Sequence, residues 1–111
     1  MTDRVIDPNV AVDAIRDTAP VFAKAKAERV YLEEFRKSKK AILMRSSMEN
    51  TIGAQESYAY SHPEYLELLT AIKEAVETEE LHRWRMVAAQ ARVEVWRSQE
   101  SSKRTEYRVT I

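Results

Sequence analysis

Five cations crowd one stretch of the chain: Arg36, Lys37, Lys39, Lys40 and Arg45, with Lys24 and Lys26 upstream. Several cations on one helix can displace the counterions condensed on DNA or RNA and so hold a phosphate backbone. An internal use competes. Residues 24–45 carry eight Lys/Arg against three Glu, and residues 64–80 carry six Glu against one Lys. If the two blocks lie side by side they neutralise each other, each exposed pair adding about 0–1 kcal/mol and the set fixing helix direction. The internal use is the simpler one. A second constellation is Glu79-x-x-His82. Glu and His three apart on a bundle helix form half of a ferritin-like di-metal carboxylate site, which needs further Glu from another helix. The chain has 14 Glu, so such a spacing arises readily by chance, and only one such motif is present. Glu33 and Glu34 fall nearly a turn from where a third ligand is needed. The simpler reading of Glu79 and His82 is a polar layer that fixes register or oligomer state.

Trp84 and Trp96 sit among Arg83, Arg85, Arg92 and Arg97. Aromatics interleaved with Arg can stack on the bases of single strands. Both Trp occupy heptad positions, however, where packing anchors at an interface are the plainer assignment. The stretch SYAYSHPEY (57–65) offers three Tyr and a His in a loop, usable as a binding surface or as the cap of a helical core. There is no Gly-rich phosphate loop, no credible Ser/His/Asp set and no Cys nucleophile. Neither an enzymatic activity nor a cofactor is expected.

These residues must be positioned by one dominant element. From Pro63 to about Gln99 the chain has no Gly and no internal Pro, and it is rich in Ala, Leu, Glu, Arg, Met and Val. It reads as a single helix of about 37 residues, with Ser61 as N-cap and Pro63 in the first turn. Tyr65, Leu68, Ile72, Ala75, Glu79, His82, Met86, Ala89, Val93 and Trp96 step by three and four without a slip, which is a heptad seam. Leu81, Trp84, Ala88, Ala91 and Val95 keep the same rhythm on a roughly opposite face. A helix wet on one side needs only one apolar stripe. Two stripes imply two neighbours, and a second copy is the natural source of one. The stripe Met86, Ala89, Val93 and Trp96 is the expected oligomer interface.

The rest of the chain serves this helix. Residues 1–7 look frayed. Asp7-Pro8 is a helix start, with Asp as cap, and a short helix over 8–18 follows. Thr18-Ala19-Pro20 reads as a break and restart, one kinked helix being the alternative. A second main helix spans 20–46, with Val21, Ala25, Leu32, Phe35 and Ile42 expected inside and Phe22, Val30 and Leu43 flanking. Residues 47–62, which hold Gly53, the single glycine, form a loop with a possible helical turn at Ala54–Tyr60. Residues 100–111 read as a mobile tail or an arm docking on a partner, with a weak alternation at Tyr107, Val109 and Ile111. A loop of this length lets the two main helices run antiparallel, placing residue i roughly opposite residue 109 − i. The expected fold is therefore all-α. It is a single domain built as a long antiparallel, coiled-coil-like helical hairpin with a short N-terminal helix, assembled as an oligomeric bundle.

Composition agrees with a charge-rich helical protein. Net charge is zero, so no global field draws it to nucleic acid or membrane. No run approaches the roughly 18 apolar residues of a membrane span, and MTDRVIDPNV lacks a hydrophobic signal core. The lack of Cys fits a reducing cytoplasm.

YLEEFRKSKKAILM (31–44), TIGAQESYAYSHPEYLELL (51–69) and RMVAAQARVEVWRSQESSKR (85–104) resemble small, uncharacterised bacteriophage and prophage proteins encoded among replication and recombination genes. The resemblance covers about two thirds of the chain and carries no catalytic motif. It implies a setting in phage DNA metabolism, in the cytoplasm of a host cell. The expected function is that of a non-enzymatic accessory protein. It would bind DNA, single- or double-stranded, or a recombination or replication protein, through Arg36, Lys37, Lys39, Lys40 and Arg45. The alternatives are a protein–protein module that inhibits a host factor and a ferritin-like metal bundle using Glu79 and His82.

Overall fold

Asp7 opens the first helix as its residue type requires. Its carboxylate accepts from the Asn9 N–H at 2.9 Å, its carbonyl accepts from the Ala11 N–H, and Pro8 occupies the first turn, where a missing N–H is harmless. In the computed structural model, which describes residues 5–110, this helix is α1 (Pro8–Ser46). It is followed by α2 (Ile52–Ser61) and α3 (Pro63–Thr110). The protein is all-α, with no strand among the described residues.

The expected break at Pro20 does not occur. Pro20 lies inside α1 on its exposed side, and Thr18 is an interior residue rather than a cap. A helix-interior Pro forfeits one backbone bond, a local loss that packing on both flanks can outweigh. The inward stripe of α1 shows that packing. Ala11, Ile15, Thr18, Phe22, Ala25, Arg29, Leu32, Arg36, Lys39 and Leu43 are all buried or half-buried, and they step by three and four straight through Pro20. This register differs from the expected one. Val21, Phe35 and Ile42 are exposed, and Phe22 and Leu43 take the inside places. Arg29 and Arg36 stand where an apolar reading does not put them, because long side chains can lay their methylenes along apolar surface. Phe35 instead stacks on Tyr31 at the surface, ring centroids 6.1 Å apart.

The 47–62 connection is mostly helical. Thr51 caps α2 with extended backbone, its hydroxyl accepting from the Ala54 N–H at 3.1 Å. Ser61 is not the cap of α3. It ends α2 and donates its hydroxyl to the Ser57 carbonyl at 2.7 Å. His62 does both jobs at the junction: its N–H closes α2 on Ala59, and its Nδ1 accepts from the Glu64 N–H at 3.1 Å to open α3. The tail also departs from expectation. α3 continues through the residues read as mobile and ends at Thr110. Of the residues expected to be frayed or in the tail, 1–4 and Ile111 lie outside the described residues, and 5–7 are non-helical.

The chain forms two packing units. One holds the residues up to Phe22 together with those from Leu81 onward; the other is Ala23–Glu80. In the second unit, Leu43, Ala59 and Tyr65 form a buried cluster with Met44 against it. Ala59 has no exposed surface, so the small α2 helix seats there by having almost no side chain. In the first unit, Ala11 and Ala89 are buried, and Arg83 lies over the Phe22 ring, 5.3 Å from its centroid.

Candidate functional site

The ten seam residues of α3, Tyr65 through Trp96, are all buried or half-buried. Within the seam Glu79 is 2% exposed, a burial that a carboxylate tolerates only with partners. Arg29 supplies them. Its Nε and Nη2 donate to the two Glu79 oxygens, the latter at 3.2 Å, and its Nη1 donates to Glu33 at 2.9 Å. This forked geometry matches a planar guanidinium to a carboxylate. The Glu79 bond first, and then the nearby Glu79 and Glu33 charges, raise the already high pKa of Arg29. Glu79 is thus part of a polar layer. A metal ion there would have to displace the guanidinium, and among the described residues no three His, Asp or Glu gather to hold one. His82 is half-buried one turn further on α3. The ferritin-like alternative does not fit this donor set.

The five expected phosphate-binding cations do not form a common free patch. Lys39 pairs with Glu64 at 2.9 Å, Lys37 with Glu34 at 3.3 Å, and Lys40 with Glu56 at 3.6 Å. Lys40 also lies over the Tyr60 ring, 4.8 Å from its centroid. The Lys39 bond holds the Glu64 carboxyl below its ordinary value, and Tyr60, then Glu56, push the Lys40 ammonium above its own. Arg36 is half-buried and Arg45 is exposed in the last turn of α1, where a cation suits the helix dipole. The acidic block thus engages Lys39 through Glu64, Glu34 of α1 and Glu56 of α2 take Lys37 and Lys40, and SYAYSHPEY contributes the Tyr60 ring beneath Lys40.

The residues of the expected oligomer stripe are already covered, wholly or in part, within the single chain. Ala89 is fully buried, and Met86, Val93 and Trp96 are half-buried by the chain itself. The first turns of α1 lie beside this part of α3, Val10, Ala11 and Ala14 sharing a groove with Arg92. Ala11 is buried in this unit, and Trp96 shares a groove with Val5 and Ile6. The other stripe is the one left open. Leu81 is 50% exposed, Trp84 63% and Val95 47%, with Ala88 and Ala91 exposed between them. Two features had escaped the sequence reading. Arg29 could have been found by folding the chain back, since position 79 falls opposite 30. The capping role of His62 had no comparable signal, because Ser61 is the better cap by type.

Comparison with protein families, with curated proteins and with solved structures finds no match for the chain. Among the described residues no helix is long and apolar enough to cross a membrane.

Proposed function

We propose that this protein is a non-enzymatic helical interaction module that docks a helix of a protein partner along Leu81, Trp84, Ala88, Ala91 and Val95. One observation carries the reading. The second half of α3 has two apolar stripes, and the chain covers one while leaving the other open to water. An open, linear apolar stripe with a central pair of small residues and a large aromatic anchor suits a helix laid alongside it. A hairpin with antiparallel α1 and α3 is the scaffold that fits. It is supported within Ala23–Glu80 by the pairs Arg29–Glu79 and Lys39–Glu64, in which position falls on α3 as it rises on α1. The phage setting rests on the resemblance of 31–104 to phage proteins, and an inhibitor of a host factor is one form the module could take. DNA binding through the basic cluster is the weaker reading, because Lys37, Lys39 and Lys40 are engaged by Glu34, Glu64 and Glu56.

Site-specific photo-crosslinking in cells tests the reading. A photoreactive residue placed in turn at 84, 88, 91 and 95 is expected to yield crosslinked polypeptide, and one at Gln90 or Arg97 is not. Crosslinks that ignore the three-four rhythm, or that follow Arg36 and Arg45 instead, would overturn it.

A further inference from the structure

We infer that the occupant of the open stripe is a second copy of this chain, its α3 lying parallel to the first over roughly residues 80–99. The inference rests on the docking reading above and names its partner. Leu81, Trp84, Ala88, Ala91 and Val95 fill the first and fourth positions of successive heptads, a pattern that continues through Ser98 and Ser102. One flank of the stripe is Glu80, Val87 and Glu94; the other is Arg85, Arg92 and Gln99. In a parallel pair each residue of the first flank meets the partner residue five positions later. Glu80 then faces the partner's Arg85, Val87 the partner's Arg92, and Glu94 the partner's Gln99. The two-fold axis doubles each contact, and none sets like charges together.

The antiparallel arrangement of the same stripes fails on charge. There each flank meets itself, so Glu80 approaches the partner's Glu94 while Arg85 approaches the partner's Arg85 and Arg92. Large residues would meet small ones well in that arrangement, with Trp84 against the partner's Ala88. The flanking charges nonetheless discriminate between orientations, which is their established use in paired helices. Two further properties of the chain favour self-docking. α3 is already helical and held through Ala89 on its other side, so association bears no cost of helix formation. Net charge is zero, so two copies do not repel as wholes.

Sedimentation velocity over a concentration series, with circular dichroism as the control for folding, is the test. The full chain is expected to form a reversible species of twice its mass. Trp84→Glu is expected to leave a helical monomer. Arg85→Glu is expected to weaken the dimer roughly tenfold, since two like-charged contacts replace two opposite ones. Mixing the Arg85→Glu chain with a Glu80→Arg chain is expected to restore pairing between unlike copies. Orientation is read separately. The chain has no Cys, so Ser98→Cys provides a single thiol. Oxidation is expected to link two copies through it, because in the parallel pair that position faces its own counterpart. A chain that stays monomeric throughout, a dimer indifferent to Trp84→Glu, or a dimer whose Ser98→Cys form does not crosslink would each overturn the inference. If the photo-crosslinks of the preceding test persist in a monomeric chain, self-docking alone fails. If they vanish as well, the docking reading fails with it.

Discussion

At the scale of single residues, Arg29 matters more than its place in the sequence suggests. It joins a carboxylate on α3 that is 2% exposed to Glu33 on its own helix. Removing one member of such a set is not symmetric, because the cost depends on which group is left in the dry. Arg29→Ala takes the guanidinium from a buried carboxylate. Glu79→Gln leaves a half-buried guanidinium still held by Glu33 and able to reach water. Glu33→Ala removes a surface partner only. Thermal unfolding is therefore expected to rank the losses in that order, with Arg29→Ala costing several times as much as Glu33→Ala. Equal losses would mean that Glu79 does not depend on Arg29. Two other ion pairs set a pH window. Lys39 holds Glu64 below its ordinary 4.5, so that pair stabilises the fold above that pH and its contribution is lost as pH falls through the lowered value. Tyr60 and Glu56 raise Lys40 above its ordinary 10.5, so its contribution is present below that pH and is lost as pH rises through the raised value. The urea midpoints of wild type and Glu64→Gln are expected to differ slightly at neutral pH and to converge as pH falls through the lowered Glu64 value.

At the scale of elements, α1 carries an internal Pro that its packing overrides. Pro20 is exposed, so replacing it leaves the core contacts intact and returns one helix bond. Pro20→Ala is expected to stabilise the protein by about 1–3 kcal/mol in chemical denaturation, with helix content unchanged or slightly higher. A loss of stability would show that a kink at Pro20 is what seats the first turns of α1. On α3, adjacent alanines should behave in opposite ways. Ala89 has no exposed surface, so Ala89→Leu is expected to overpack its site at a cost of about 1–3 kcal/mol. Ala88 is exposed, and Ala88→Leu should leave monomer stability within about 0.5 kcal/mol.

For the whole molecule, the two tryptophans separate folding from association. Trp96 is half-buried within its own chain and Trp84 is 63% exposed. Trp96→Ala is expected to lower the unfolding midpoint. Trp84→Ala is expected to spare it at low protein concentration and to reduce only what depends on concentration. A comparable fall for both at high dilution would place Trp84 in the fold. The same molecule, with net charge zero and three of its five clustered cations engaged, is expected to show little salt-dependent affinity for a labelled oligonucleotide. Binding that steepens as salt is lowered would return the basic cluster to a functional role.

Periodicity alone determined the class of this protein and the seam of its longest helix. A three-four rhythm in a stretch without Gly or internal Pro admits no regular solution but a helix, and Tyr65 through Trp96 do lie on its inner side. Asp7-Pro8 as a helix start was legible for the same reason: cap chemistry acts within three residues and needs no distant partner. What the sequence could not decide were choices settled by energies from elsewhere in the chain. Pro20 breaks a helix locally, yet contacts on either side of it prevail. α1 buries Arg29 and Arg36 in preference to Phe35 and Ile42, because an acid across the layer rewards an arginine there and aliphatic stems serve as cover. Which of the two stripes stays open was undecidable in one dimension, since both are apolar and share one rhythm. Only the fold brings Ala11 inside and Val5 and Ile6 beside Trp96, while Trp84 faces water.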